Sequence, residues 1–450
     1  MDQRTQFTSG PIIPKLIGFA LPVLLALCLQ SLYGAVDLLI VGQFNTEADV
    51  SAVATGSQMM HMVTVVLTGL AMGTTVLLGQ AIGNGRRDQA GSIIGSSICL
   101  FAVLALVFTG VMMALARPFA TLMHAPPEAF EKTVQYVQIC SAGTVFIIAY
   151  NVLGSVFRGI GDSRTPLLSV LFASIFNIIG DLLFVAVLDM KAAGAALATV
   201  LAQAFSVIIC ILIVRRRTLP FDLTRKHLRF ERVLTLQVVR TGLPIALQDG
   251  LVNVSFLAIG AIVNSLGVVA SAGVGVAEKI CAFIMLVPSA FSQSLSAFVA
   301  QNIGAGLPQR ARKATFYGMM ASLAVGVVMG YLSFFHGDML ARIFSAQPEV
   351  IAAAADYLRS YAIDTLFVSF LFCFIGYFSG CGKTTFVMVQ GIVGAFGVRV
   401  PVSYLMSRIA GVSLFQIGLA TPASTIVQIT LCVVYLLLML KKEKQASAAT

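Results

Sequence analysis

Long apolar blocks of twenty or more residues recur along this chain, separated by short polar connections. Twelve can be marked, near 14–40, 51–78, 90–115, 133–157, 165–188 and 192–214, then 240–264, 272–300, 314–335, 357–378, 385–407 and 413–439. Each is long enough to cross a hydrocarbon layer of about 30 Å as a helix. A membrane-spanning strand would alternate in hydrophobicity over roughly ten residues, and no block does so. The pattern predicts an all-α polytopic membrane protein with twelve transmembrane helices.

The blocks fall into two matching sets. "GQAIGNG" (79–85) returns as "AQNIGAG" (300–306), "APPEAFEKTVQYV" (125–137) as "AQPEVIAAAADYL" (346–358), and "GIGD" (159–162) as "GCGK" (380–383), each 221 residues later. "LP" at 21–22 and "ALAT" at 196–199 return 222 residues later, the second as "GLAT". Each repeat holds six spans, an even number, so both insert with the same orientation. Transporters built from such repeats relate them by an axis along the membrane normal. The expected architecture is two pseudo-symmetric six-helix lobes around a central cavity: an N-terminal lobe over 1–214, a basic linker over 215–239 and a C-terminal lobe over 240–450. Rocking the lobes would give alternating access.

Composition sharpens this picture. Of 450 residues, 58% are hydrophobic and 11% charged, with mean hydropathy +0.93; a soluble domain is about a quarter charged. The net charge of +10 could suggest a nucleic-acid partner, but its distribution argues against one. Of the 29 Lys and Arg residues, 21 lie on one set of alternate connections and five (Arg117, Lys132, Lys191, Arg342 and Arg408) on the other. The linker alone carries Arg215 to Arg217, Arg225, Lys226, Arg229, Arg232 and Arg240. Cytoplasmic loops retain Lys and Arg, so a cell (inner) membrane location with both termini cytoplasmic is expected. The eight cysteines show no CxxC pair and read as small packing residues.

The paired loops "GQAIGNGRRDQA" and "AQNIGAGLPQRA" resemble those of multidrug and toxic-compound extrusion transporters of prokaryotic type. So do "RGIGDSRTP" at the fifth span and the Asn-x-x-x-Asp that follows it. The resemblance covers about residues 10 to 440. It implies a secondary antiporter that exports amphipathic, cationic drugs or metabolites against inward H+ or Na+. The wider multidrug/oligosaccharidyl-lipid/polysaccharide exporter superfamily also contains flippases for lipid-linked sugars and cell-wall precursors, which is the alternative reading. A flippase would be expected to carry a more basic cavity, and Arg399 is the clearest basic residue within the spans.

"SIFNIIGDLLF" (174–184) sets Asn177 and Asp181 one turn apart on a single helix face, deep in an apolar run where a carboxylate costs several kcal/mol. By the charge-derived orientation, Asp181 and Thr199 lie roughly 10 Å below the outer surface and Asp37 roughly 5–9 Å below it. In the family, the matching positions of the first, fifth and sixth spans form a cation-binding pocket, which here implies Asp37, Asn177, Asp181 and Thr199. Two carboxylates held away from water either share a proton or bind a cation, and hard oxygen ligands suit small hard cations. With Na+ as the coupling ion, these four would be its ligands.

Gln30 and Tyr33 share one face of the first helix with Asp37, and Gln203 follows Thr199 by one turn. These three are expected to line the cavity, with Gln248, Asp249 and Asp364 contributing from the C-terminal lobe. "GNGRR" and "SGCGKTT" lack the spacing of a phosphate loop and read as tight cytoplasmic corners whose glycines tolerate positive φ. No catalytic dyad is present, no re-entrant channel filter is found, and no cofactor is expected beyond the coupling ion. The expected partners are amphipathic small molecules and the lipid bilayer, with no nucleic acid and a monomeric state.

Overall fold

The computed structural model describes residues 7–216, 224, 226–409 and 411–449. Arg4, Arg217, Pro220 and Arg225 of the expected basic side lie outside them. Among the described residues there are helices and no strands. Helices α1 (Ile12–Phe44), α2 (Glu47–Gly83) and α3 (Arg87–Leu122) are single long spans. Two shorter helices, α4 (Pro127–Ala142) and α5 (Thr144–Ile160), bend by 51° where they meet and together form one span. Helices α6 (Arg164–Asp181) and α7 (Lys191–Arg216) complete the first set.

The second set comprises α8 (Arg232–Asn264), α9 (Val268–Ile284), α10 (Leu286–Gly304), α11 (Pro308–Phe335), α12 (Gly337–Ala341), α13 (Pro348–Gly380), α14 (Thr384–Ile392), α15 (Val400–Ser407), α16 (Leu414–Gly418) and α17 (Ala420–Ala449). Among the described residues, eleven segments are long and apolar enough to span a membrane, and twelve when the bent pair is taken as one span. The chain is a multi-pass membrane protein. Helix α8 begins at Arg232, so the end of the stretch read as linker is the first part of the seventh span.

The repeat is visible in the helix starts. Glu47, Arg87 and Pro127 open α2, α3 and α4; Val268, Pro308 and Pro348 open α9, α11 and α13, 221 residues later each time. The corners repeat as well. Gly85 and Gly306 adopt φ of +73° and +71°, a region other residues enter at a cost. Each lets the next N–H reach back across the helix end: Arg86 donates to the Ala81 carbonyl at 3.0 Å, and Leu307 to the Asn302 carbonyl at 2.8 Å. This is the six-residue closure of a Schellman cap. The glycine motifs are helix stops, which accounts for their recurrence.

The chain divides into two compact units, Met1–Ala246 with Ala300–Pro308, and Leu247–Val299 with Gln309–Thr450. In the first, Ile40, Val41, Val53, Val134, Val137 and Val185 pack α1, α2, α4 and the turn after α6 into one core. In the second, Ile259, Val274, Ile280, Leu358 and Ile417 do the same for α8, α9, α13 and α16.

Candidate ion and substrate site

Helix–helix approach in a membrane depends on small residues, because lipid is as apolar as a Leu side chain. The first unit uses this where its polar residues lie. A Cβ on Gly180 of α6 would sit 3.1 Å from the Ala198 Cβ of α7, and one on Gly194 would sit 3.0 Å from the backbone of Phe184. The close approach packs the part of α6 that carries Asn177 and Asp181 against the part of α7 that carries Thr199. Just beyond Asp181 the helix widens into a π turn over Leu182–Val187, a feature frequent at functional sites.

Asp37, on α1, completes the group. Its carboxyl group lies against the side chains of Asp181, Thr199 and Asn177. Thr199 Oγ1 donates to Asp37 Oδ2 at 3.3 Å. Asp181 is 0% exposed, Asn177 1% and Asp37 6%. Despite that burial, Asp37 Oδ1, both oxygens of Asp181 and both polar atoms of Asn177 make no hydrogen bond of good geometry, although Asp181 and Asn177 stand within reach of the Asp37 carboxyl group. Buried polar atoms are almost always paired, and several kcal/mol are lost when they are not. Four bare oxygens from three residues, beside the Thr199 hydroxyl, form a site complementary to a proton or a small cation. Among the described residues, no group of three or more His, Cys, Asp or Glu could hold a metal ion; a cation at this position would have to use the amide and hydroxyl oxygens as well as the two carboxylates.

A small cavity opens beside this group. Gln30, Tyr33, Asn177, Thr199 and Gln203 line it, so the cavity residues read from the first and sixth spans share one wall with two members of the ion group. Tyr150 and Ser206 also line it, and sequence reasoning missed both. Gln30 Nε2 donates to the Tyr150 hydroxyl at 3.1 Å, which brings the fourth span into the site. The one sequence signal for Tyr150 was its place beside Asn151 in an apolar block; a lone Tyr in such a block otherwise reads as packing.

The three C-terminal candidates lie in the second unit and do not line this cavity. Gln248 is buried on α8, its side chain against Gly391 and its Oε1 without a partner. Asp249 is partly buried beside it. Asp364, on α13, is 1% exposed with Oδ1 unpaired, and its surroundings include Thr425 and Arg399. The Arg399 guanidinium lies 4.5 Å over the Phe256 ring and donates to Ser255 Oγ at 3.2 Å.

Twelve spans in two sequence repeats, with a sealed pair of carboxylates beside a small polar cavity, define a membrane transporter rather than an enzyme. The chain belongs to the MatE family, the multidrug and toxic-compound extrusion transporters: its family model matches residues 22–183 and again 244–405. The "Probable multidrug resistance protein YpnP" of Bacillus subtilis is 27% identical over 406 residues, covering 90% of this chain and 91% of that one. The "Probable multidrug resistance protein NorM" of Thermotoga maritima is 25% identical over 414 residues, 90% and 87% of the two chains. An outward-facing multidrug resistance MATE transporter of the MOP superfamily superposes with a TM-score of 0.92 over 99% of both chains, at 18% identity. That likeness establishes the fold.

Proposed function

We propose that the protein exports amphipathic, cationic small molecules in exchange for inward protons or sodium ions. The observation that carries this reading is the pair Asp37 and Asp181, buried side by side with three of their four oxygens unbonded. A static helix-pairing cluster would satisfy these atoms; a site that must be filled and emptied in each cycle leaves them ready for an ion. Occupancy changes the local charge, and a charge change inside the bilayer is large enough to bias two helix arrangements. The multidrug relatives support a broad, drug-like substrate range. The polar but partly apolar wall of Gln30, Tyr33, Tyr150, Val170 and Ala202 suits amphipaths. The protein acts as a monomer in the cell membrane, with both termini cytoplasmic.

The test is accumulation of several unrelated amphipathic cations in cells overexpressing the protein. Lower accumulation of all of them is expected. Unchanged accumulation, together with rescue of a strain lacking a lipid-precursor flippase, would replace export by flipping.

A further inference from the structure

The repeated loops do more than stop helices. "GQAIGNG" ends α2, "AQNIGAG" ends α10, and within the first unit the two cross backbone to backbone. A Cβ on Gly83 would strike the Gln301 carbonyl, and a Cβ on Gly304 would strike the Gln80 carbonyl. Gly83 pairs with Gly304 in the repeat, and Gln80 with Gln301, so the contact is its own image under the 221-residue shift. Side chains larger than hydrogen cannot enter it.

The crossing also carries a strap. The Phe7 N–H donates to Gln301 Oε1 at 3.3 Å, and Asn302 Nδ2 donates to the Phe7 carbonyl at 3.3 Å. Gln301 Nε2 donates in turn to the Gly159 carbonyl at 2.9 Å. Phe7 is 2% exposed, its ring edge-on to Phe19 at 5.1 Å. An open polar cavity lined by Gln80, Asn84, Arg86, Gln89 and Gln237 also touches Ile303 and Gly304 at the crossing.

We propose that this crossing is the cytoplasmic gate of the transport cycle and that the segment at Phe7 latches it through Gln301 and Asn302. The proposal rests on the export reading. A compound taken up from the cytoplasm needs a contact on that side to break in every cycle, and the polar cavity approaches the crossing from one side. A seal of bare backbone parts without unpacking large side chains. Neutral hydrogen bonds contribute modestly each, so the two that hold Phe7 make a latch that can be released.

The test uses the full chain in lipid vesicles, with native cysteines replaced and spin labels on Asn84→Cys and Leu307→Cys, which flank the crossing. Two distance populations are expected, exchanging when an ion gradient and an exported dye are supplied. Gln301→Leu removes the Gln301 bonds to Phe7 and Gly159, keeps the Asn302 bond and spares both glycines, and should enlarge the longer population; Phe7→Ala, which keeps the backbone bonds but removes the ring packed on Phe19, should do the same. A cleavable tether between the two cysteines should abolish dye export, and cleavage should restore it. One unchanged distance under all conditions, or full export with the tether intact, overturns the gate. Equal populations in the parent and both strap variants overturn the latch. Exchange of distances together with normal uphill export by Asp181→Asn would instead remove the ion-coupling reading and leave the gate standing.

Discussion

Thr199 Oγ1 donates to Asp37 Oδ2 at 3.3 Å, joining α7 to α1 through residues 162 positions apart. The bond fixes Asp37 while its Oδ1 remains bare. The carboxylate is thereby positioned without being satisfied, which is the property an ion site needs. A hydrogen bond to a charged group contributes about 1.5–3 kcal/mol, so Thr199→Ala should lower ion-driven export by about tenfold or more. Thr199→Ser, which keeps the hydroxyl, should restore it. Export by the alanine variant at the parent rate would show that the bond is incidental.

The Gln30–Tyr150 bond tests the cavity separately from coupling. Tyr150→Phe keeps the ring and loses one neutral hydrogen bond of about 0.5–1.5 kcal/mol. The expected outcome in vesicle transport is a KM raised about two- to tenfold with kcat nearly unchanged. A matching fall in kcat with KM constant would place Tyr150 in the coupling step.

Helix contact is the third point of attack. Gly180→Val would press a branched side chain onto Ala198, where even a Cβ is tight at 3.1 Å. Overpacking of this kind costs about 1–3 kcal/mol, so thermal unfolding in detergent should begin at a lower temperature. An unshifted melting curve would mean that α6 and α7 tolerate a wider spacing.

Much of the fold could be read in the sequence because a bilayer imposes a single length on every span. Span counts, the repeat and the glycine corners all follow from that constraint and from φ at Gly85 and Gly306. The break at Gly143 was hidden: 133–157 reads as one apolar run, and only the tertiary neighbour Val200, which a Cβ there would strike, shows why a glycine is needed. Helix ends also ran past the apolar blocks, as in α13, which starts at Pro348 rather than near 357; polar turns extend a helix beyond the hydrocarbon. In the site, Asp37, Asn177, Asp181 and Thr199 stood out because polar atoms in lipid are costly. Tyr150 and Ser206 did not, since both types also pack silently in membrane helices.

Orientation rests on charge. Phe230, 60% exposed between Arg229 and Arg232, lies in the basic stretch that should remain in the cytoplasm. Phe230→Cys, in a cysteine-free background, should react with an impermeant maleimide in inside-out vesicles and not in intact cells. Labelling in intact cells would invert the topology.

Asp37 and Asp181 are proposed to act as one ion site. Asp181→Asn and Asp37→Asn keep side-chain size while removing the charge that a proton or cation neutralises. Groups that work as a unit lose their function together, so the double variant should lose little more than either single one. Folding should survive, because removing a buried, unpaired charge lowers a desolvation cost. The decisive measurement is gradient-driven dye export in vesicles by the two single variants and the double, with pH and sodium gradients imposed separately. Near-complete loss of uphill export is expected in all three at parent-level expression; near-normal uphill export by Asp181→Asn would show that the two carboxylates are not the coupling site.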